Sequence, residues 1–132
     1  MLGVRGWKKN QMAFNSFRDL RVWQAGMDLV ELVYRLTESF PPKEIYGLTG
    51  QMRPCAVSVP SNIAEGHTRE HSKEYLHHIS MAQASLAELQ TQLEIAGRLN
   101  YLSKESVTTS IEHAVSLSKQ LYALRNALAR RG

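Results

Sequence analysis

Apolar residues recur along this chain at helical spacing in four stretches, and no stretch shows the period-two alternation of a half-buried strand. In the first, Leu20, Trp23, Met27, Val30, Tyr34 and Thr37 step by three and four, while Leu29, Val33 and Leu36 widen the face beyond a narrow seam. The pattern predicts a helix over 18–38. Ser16 and Asp19 stand in front at capping-box spacing, with Asp replacing the usual Glu or Gln. Phe40-Pro41-Pro42 stops the helix, because proline restricts the residue before it and supplies no N–H. The second helix is expected over 44–65, with Leu48, Met52, Cys55, Val59 and Ile63 in register. Pro54 and Pro60 fall inside it, and each costs about 3 kcal/mol if nothing compensates. A kink or break is predicted there, with Ser58 and Ser61 available for the freed backbone groups and Gly66 as a left-handed C′ residue.

The third stretch, over 72–99, carries Ile79, Ala82, Leu86, Leu89, Leu93 and Ala96 in unbroken alternation of three and four, extended backward by Leu76. That is a coiled-coil-like seam about 40 Å long at about 1.5 Å per residue, with Asn100 predicted to end it. Ser103 is the expected N-cap of a fourth helix over 103–129, where Val107, Ile111, Ala114, Leu117, Leu121, Leu124 and Leu128 share a face. Short connections between long helices make neighbours antiparallel. The predicted fold is an all-α, up-down-up-down four-helix bundle over 17–129, behind a basic leader at 1–16 expected to be disordered. Residues 1–11 read as an over-called start or an unstructured leader, since organised sequence begins just after Met12.

At 132 residues the chain fits one domain with a sizeable core. Its single cysteine, Cys55, excludes an internal disulfide and suits a reducing cytosol. No apolar run reaches the roughly 18–20 residues of a membrane span, and the N-terminus lacks a secretory apolar core, so a soluble cytoplasmic protein is expected. The net charge of +4 is uneven. Residues 1–18 hold Arg5, Lys8, Lys9 and Arg18 without an acid, and residues 119–132 hold Lys119, Arg125, Arg130 and Arg131 without one. The ends carry +8 between them and the centre −4, so the basicity that would attract phosphates belongs to the termini. Helix one presents nearly two apolar stripes where a monomer needs one, which predicts a self-associating protein.

Phe17-Arg18-Asp19-Leu20-Arg21-Val22-Trp23-Gln24-Ala25 resembles the opening of a family of bacterial four-helix proteins named for intervening sequences in large-subunit (23S) ribosomal RNA genes. The resemblance continues through Tyr46-Gly47-Leu48-Thr49 and Gln51-Met52-Arg53, and is strongest from Ala56 through Pro60-Ser61-Asn62-Ile63-Ala64-Glu65-Gly66. It closes with Ser85-Leu86-Ala87-Glu88-Leu89 and Gln92-Leu93, which carries it over residues 17 to about 102. It implies an antiparallel bundle assembled as a homopentamer. A related branch, the accessory proteins of diversity-generating retroelements, binds a reverse transcriptase and nucleic acid through a basic surface. Two positions depart from the family's pattern: Pro54 stands where a basic residue is usual, and Cys55 where alanine is.

Candidate chemistry is sparse. His67, His71 and His78 with Glu74 have helical metal-ligand spacings, but imidazoles at a helix start are more often solvated, and no metal or other cofactor is expected. Cys55 lies on an apolar face, Ser58 and Ser61 follow no nucleophile-elbow pattern, and no glycine-rich phosphate loop or paired carboxylates appear, so no enzyme is expected. The segment Pro60, Ser61, Asn62, Glu65 and Gly66 reads as an architectural joint rather than a recognition surface. Trp23 and Tyr34 are expected in core or interface, and Trp7 and Tyr101 are the loosely placed aromatics. The leading functional expectation is an RNA or DNA adaptor whose phosphate contacts are Arg53, Arg69, Lys73, Lys119, Arg125, Arg130 and Arg131. The other is an oligomeric scaffold for a protein partner, without nucleic acid.

Overall fold

The computed structural model describes residues 16–131, and within them the chain is all-helical. The leader expected at 1–16, with Arg5, Trp7, Lys8 and Lys9, lies outside the described residues apart from Ser16. Four α-helices follow: α1 Arg21–Thr37, α2 Leu48–His67, α3 Ser72–Arg98 and α4 Lys104–Arg131.

The first helix starts later than its pattern suggested. Ser16 Oγ accepts the backbone N–H of Arg18 at 3.1 Å, but the capped turn is a separate 3₁₀ helix, Phe17–Asp19. Leu20 then takes an extended conformation (φ −75°, ψ 129°) before α1 begins. The expected start at Glu44 is likewise a 3₁₀ turn, Pro42–Tyr46, with α2 proper opening at Leu48. At the other ends capping chemistry agrees with the sequence. Asn100 adopts φ 62°. Its N–H donates to Gly97 O at 3.0 Å and that of Tyr101 donates to Ala96 O at 2.9 Å, the paired bonds of a Schellman motif. Ser103 Oγ accepts the N–H of Ser106 at 3.1 Å and starts α4.

Of the kink or break expected in α2 the structure shows no break, since one α-helical element runs through Pro54 and Pro60 to His67. One expectation about α2 is corrected. Gly66 is not a left-handed terminus: it is buried inside α2, and no glycine among the described residues has positive φ. Its missing side chain instead admits α3, because a Cβ there would lie 2.8 Å from His78 Cβ and 2.9 Å from Tyr75 Cδ1.

The core matches the third stretch residue for residue, with Ile79, Ala82, Leu86, Leu89, Leu93 and Ala96 fully buried against Met52, Val59, Ile63, Leu117 and Leu121. On α1 the buried line is Val22, Gly26, Leu29, Val33 and Thr37, so of the stripe expected from Leu20 to Thr37 only Thr37 is buried, with Leu20, Trp23 and Val30 packed at the edge of the core. Met27 and Tyr34 stay 38% and 41% exposed, with Trp23 and Val30 half-buried beside them. Neighbouring helices touch at defined pairs. Gly26 faces Pro60, 3.3 Å from where its Cβ would be, and Arg53 Nε donates to Thr37 Oγ1 at 2.9 Å. Cys55 Sγ donates to Ser85 O at 3.1 Å, and Gly97 faces Val107. The first and last helices also touch.

Candidate nucleic-acid interface

The end of α2, the start of α3 and the C-terminal turn of α4 meet at one end of the molecule. After His67 the chain turns tightly: the Thr68 N–H is shared between Ala64 O and Glu65 O at 3.3 Å each, and the Arg69 N–H donates to Gly66 O at 3.0 Å. His71 is extended (φ −105°, ψ 139°), and α3 opens at Ser72 without a side-chain cap. The turn, the helix start and Leu128 and Arg131 from α4 enclose a cleft of about 300 Å³. Arg69, Glu70 and His71 border it from the turn, with His67, Ser72 and Tyr75 from the two helices. The His67 and Tyr75 rings meet edge to face, 6.0 Å between centroids. Burial pushes the Tyr75 hydroxyl above its ordinary pKa, and the Arg131 charge opposes that rise.

Of the seven expected phosphate contacts, this end gathers four, and a fifth, Arg125, lies beyond it along α4. Arg69 and Arg131 line the cleft, Lys73 lies in the first turn of α3, and Arg130 adjoins Arg131. Arg125 stands further back on α4 and donates from Nη1 to Gln83 Oε1 of α3 at 3.3 Å. All five are exposed. Among the described residues the one ion pair is Arg35 with Glu31, so none of these cations has a carboxylate within 4.0 Å. The remaining two stand apart. Lys119 edges a separate groove of about 240 Å³ with Gln90 and Tyr122. Arg53 lies at the Thr37 end, where its guanidinium sits 4.7 Å from the Tyr34 ring centre and its Nε is engaged by Thr37.

The Pro60–Gly66 segment is divided. Pro60 and Gly66 are buried, Ser61 and Asn62 half-buried, and Glu65 exposed. Asn62 links two helices: its Nδ2 donates to Ser58 O at 2.9 Å, and its Oδ1 faces His78 Nδ1 of α3 at 3.1 Å. One turn back, Ser58 Oγ contacts Cys55 O at 2.6 Å and Ser85 Oγ at 2.7 Å. Burial, helped by the nearby Glu88 carboxylate, pushes the Cys55 thiol up to about 12, which keeps it protonated and poorly nucleophilic at neutral pH. Among the described residues no group of three or more His, Cys, Asp and Glu side chains is placed to hold a metal ion.

Sequence reasoning missed two participants in the cleft and misjudged one residue away from it. Tyr75 and Ser72 join the cleft only because α4 returns beside the α3 start, a long-range fact with no local sequence signal. Tyr101, expected to be loose, is held: its hydroxyl donates to Glu44 Oε2 at 2.7 Å and its ring lies 5.2 Å from Phe40. No described helix is long and apolar enough to cross a membrane.

The family model described as 23S rRNA-intervening sequence protein matches residues 18–123. No curated protein matches the chain. The chain belongs to the 23S rRNA-intervening sequence protein family.

Proposed function

We propose that this chain is a non-catalytic, self-associating helical bundle that binds RNA through the basic end where the α2–α3 turn meets the end of α4. The observation that carries the reading is the gathering there of Arg69, Lys73, Arg130 and Arg131, with Arg125 further along α4, none of them within 4.0 Å of a carboxylate among the described residues. A set of unpaired cations on one surface releases counterions from a phosphate backbone and makes affinity depend steeply on salt. The protein acts in the cytoplasm, as its single reduced cysteine suits.

The bundle is read as antiparallel throughout. In the pairs Gly26–Pro60 and Thr37–Arg53, Cys55–Ser85 and Asn62–His78, and Gln83–Arg125 and Gly97–Val107, residue numbers rise along one helix as they fall along the next. Helix α2 is read as kinked rather than straight, because Pro54 and Pro60 leave the carbonyls of Gly50 and Ala56 without their helical donors. The apolar face of α1 left at Met27, Val30 and Tyr34 supports self-association, and the family resemblance supports a homopentamer.

A salt titration of binding to total cellular RNA tests the role. A log–log slope of about −0.7 per neutralised phosphate on single strands is expected, falling when Arg125, Arg130 and Arg131 become Ala. Absence of binding at low salt rejects it. That outcome selects the second reading, an oligomeric scaffold for a protein partner, which the −4 net charge of the central hundred residues favours.

A further inference from the structure

The cleft between the α2–α3 turn and the end of α4 has a shape that general RNA affinity does not require. A strand held by counterion release needs an open basic surface, whereas this is a recess of about 300 Å³, near the lower size limit of small-ligand sites. We propose that it is a pocket for a phosphate monoester, the phosphorylated end of an RNA chain, a reading that rests on the RNA role proposed above.

Four features of the recess carry this. Arg69 and Arg131 come from separate elements, border one cavity, and have no carboxylate within 4.0 Å among the described residues. Two guanidinium forks from different sides match the oxygens of a single phosphate dianion. Ser72 adds a hydroxyl, His67 and His71 add ring nitrogens, and the uncapped start of α3 leaves the Ser72 and Lys73 N–H groups without a side-chain acceptor. The wall is not purely polar: the Tyr75 ring, held edge to face against His67, and buried Leu128 give the sugar or base of a terminal nucleotide an apolar surface. Glu70 is the one acid in the lining and offsets part of the positive charge, which suits one phosphate better than a tract of them. The volume admits an end, not a strand passing through.

The test uses the full chain and one RNA oligonucleotide made with hydroxyl ends, with a 5′-phosphate, or with a 3′-phosphate, together with AMP as a free monoester. One of the phosphorylated forms is expected to bind at least about tenfold more tightly than the hydroxyl form, with AMP competing. Arg69→Ala combined with Arg131→Ala is expected to abolish that preference while helical content by circular dichroism stays unchanged. If all three oligonucleotides bind equally, the pocket is overturned and the RNA role stands. If no oligonucleotide binds but AMP does, and the double variant loses it, the RNA role fails and the cleft is a site for free phosphate monoesters. If neither RNA nor AMP binds, both are overturned.

Discussion

At the scale of single residues, glycine has been placed where two helices touch rather than where one ends. A Cβ on Gly66 would stand 2.8 Å from His78 Cβ and 2.9 Å from Tyr75 Cδ1, both on α3 and both close to the backbone. Alanine gains about 1 kcal/mol in helix propensity over glycine, but overpacking a fitted contact costs about 1–3 kcal/mol. Gly66→Ala is therefore expected to destabilise the protein by up to about 2 kcal/mol, read from the urea midpoint. A gain in stability would mean that α2 and α3 stand further apart here than described. The same residue shows where sequence reading stops. A glycine after a helical apolar run signals a left-handed terminus and a close helix crossing equally well, and only the distant partners Tyr75 and His78 distinguish them. Glu44 makes a second case. Its Oε1 accepts the Leu48 N–H at 2.8 Å and its Oε2 accepts the Tyr101 hydroxyl at 2.7 Å. Both bonds, the backbone one first, hold its carboxyl below the ordinary 4.5. Because the folded value is depressed, its stabilisation is present above the ordinary carboxylate pKa and lost as pH falls through the folded one. Tyr101 is raised above 10.0, chiefly by the same bond, so that contribution is also lost in strong alkali. Wild type should exceed Glu44→Gln in stability by a constant margin between about pH 6 and 9, shrinking in acid, when unfolding is followed across pH. A margin independent of pH down to 3 would show that the carboxylate charge plays no part.

At the scale of elements, the helices were legible from apolar spacing, but the face that each buries was legible only where one face existed. The α3 seam from Ile79 to Ala96 has no apolar competitor, and every member is fully buried. Helix α1 carries two adjacent stripes, and periodicity alone cannot say which meets the core. Gly26 marks it. A Cβ there would crowd Pro60 at 3.3 Å, so the small residue suits the close side of α1, and Val22, Leu29 and Val33 lie on that side. The start of α1 was misread for a related reason, since the Ser16–Asp19 signature is satisfied by a 3₁₀ turn as well as by a helix. The two prolines of α2 differ in setting: Pro54 is exposed, while Pro60 is buried against Gly26. Replacing either by alanine restores an N–H to the helix, a gain of up to about 3 kcal/mol. At Pro60 the lost packing opposes that gain. Pro54→Ala is expected to stabilise by about 1–3 kcal/mol, and Pro60→Ala by less or not at all, in paired denaturant titrations. Equal gains at the two sites would remove the packing role assigned to Pro60.

At the scale of the whole molecule, the proposed RNA-binding end and the proposed joining face lie on different elements. The turn before α3 and the end of α4 gather the cations, whereas the exposed face of α1 offers Met27 and Tyr34 beside half-buried Trp23 and Val30. On the proposed function, copies of the molecule would join along α1 and leave the basic end free for RNA. A ring of subunits would then present several such ends to one strand, and linked weak sites hold a common ligand far more tightly than any one alone. The two properties should therefore be separable by a single charge on α1. Met27 is 38% exposed and makes no described polar contact, so Met27→Asp leaves the core intact and places an unpaired carboxylate on the joining face. Light scattering is expected to give the wild type a mass several times 14.9 kDa and the variant a mass near 14.9 kDa, with helical content unchanged. RNA affinity of the variant should fall by about 10²-fold or more, because avidity is lost, even though every cation of the basic end remains. If the mass falls and the affinity does not, a single subunit carries the whole RNA site and the assembly serves another purpose. If the wild type is already monomeric, the exposed α1 face awaits a different protein, and the scaffold reading gains the surface it needs.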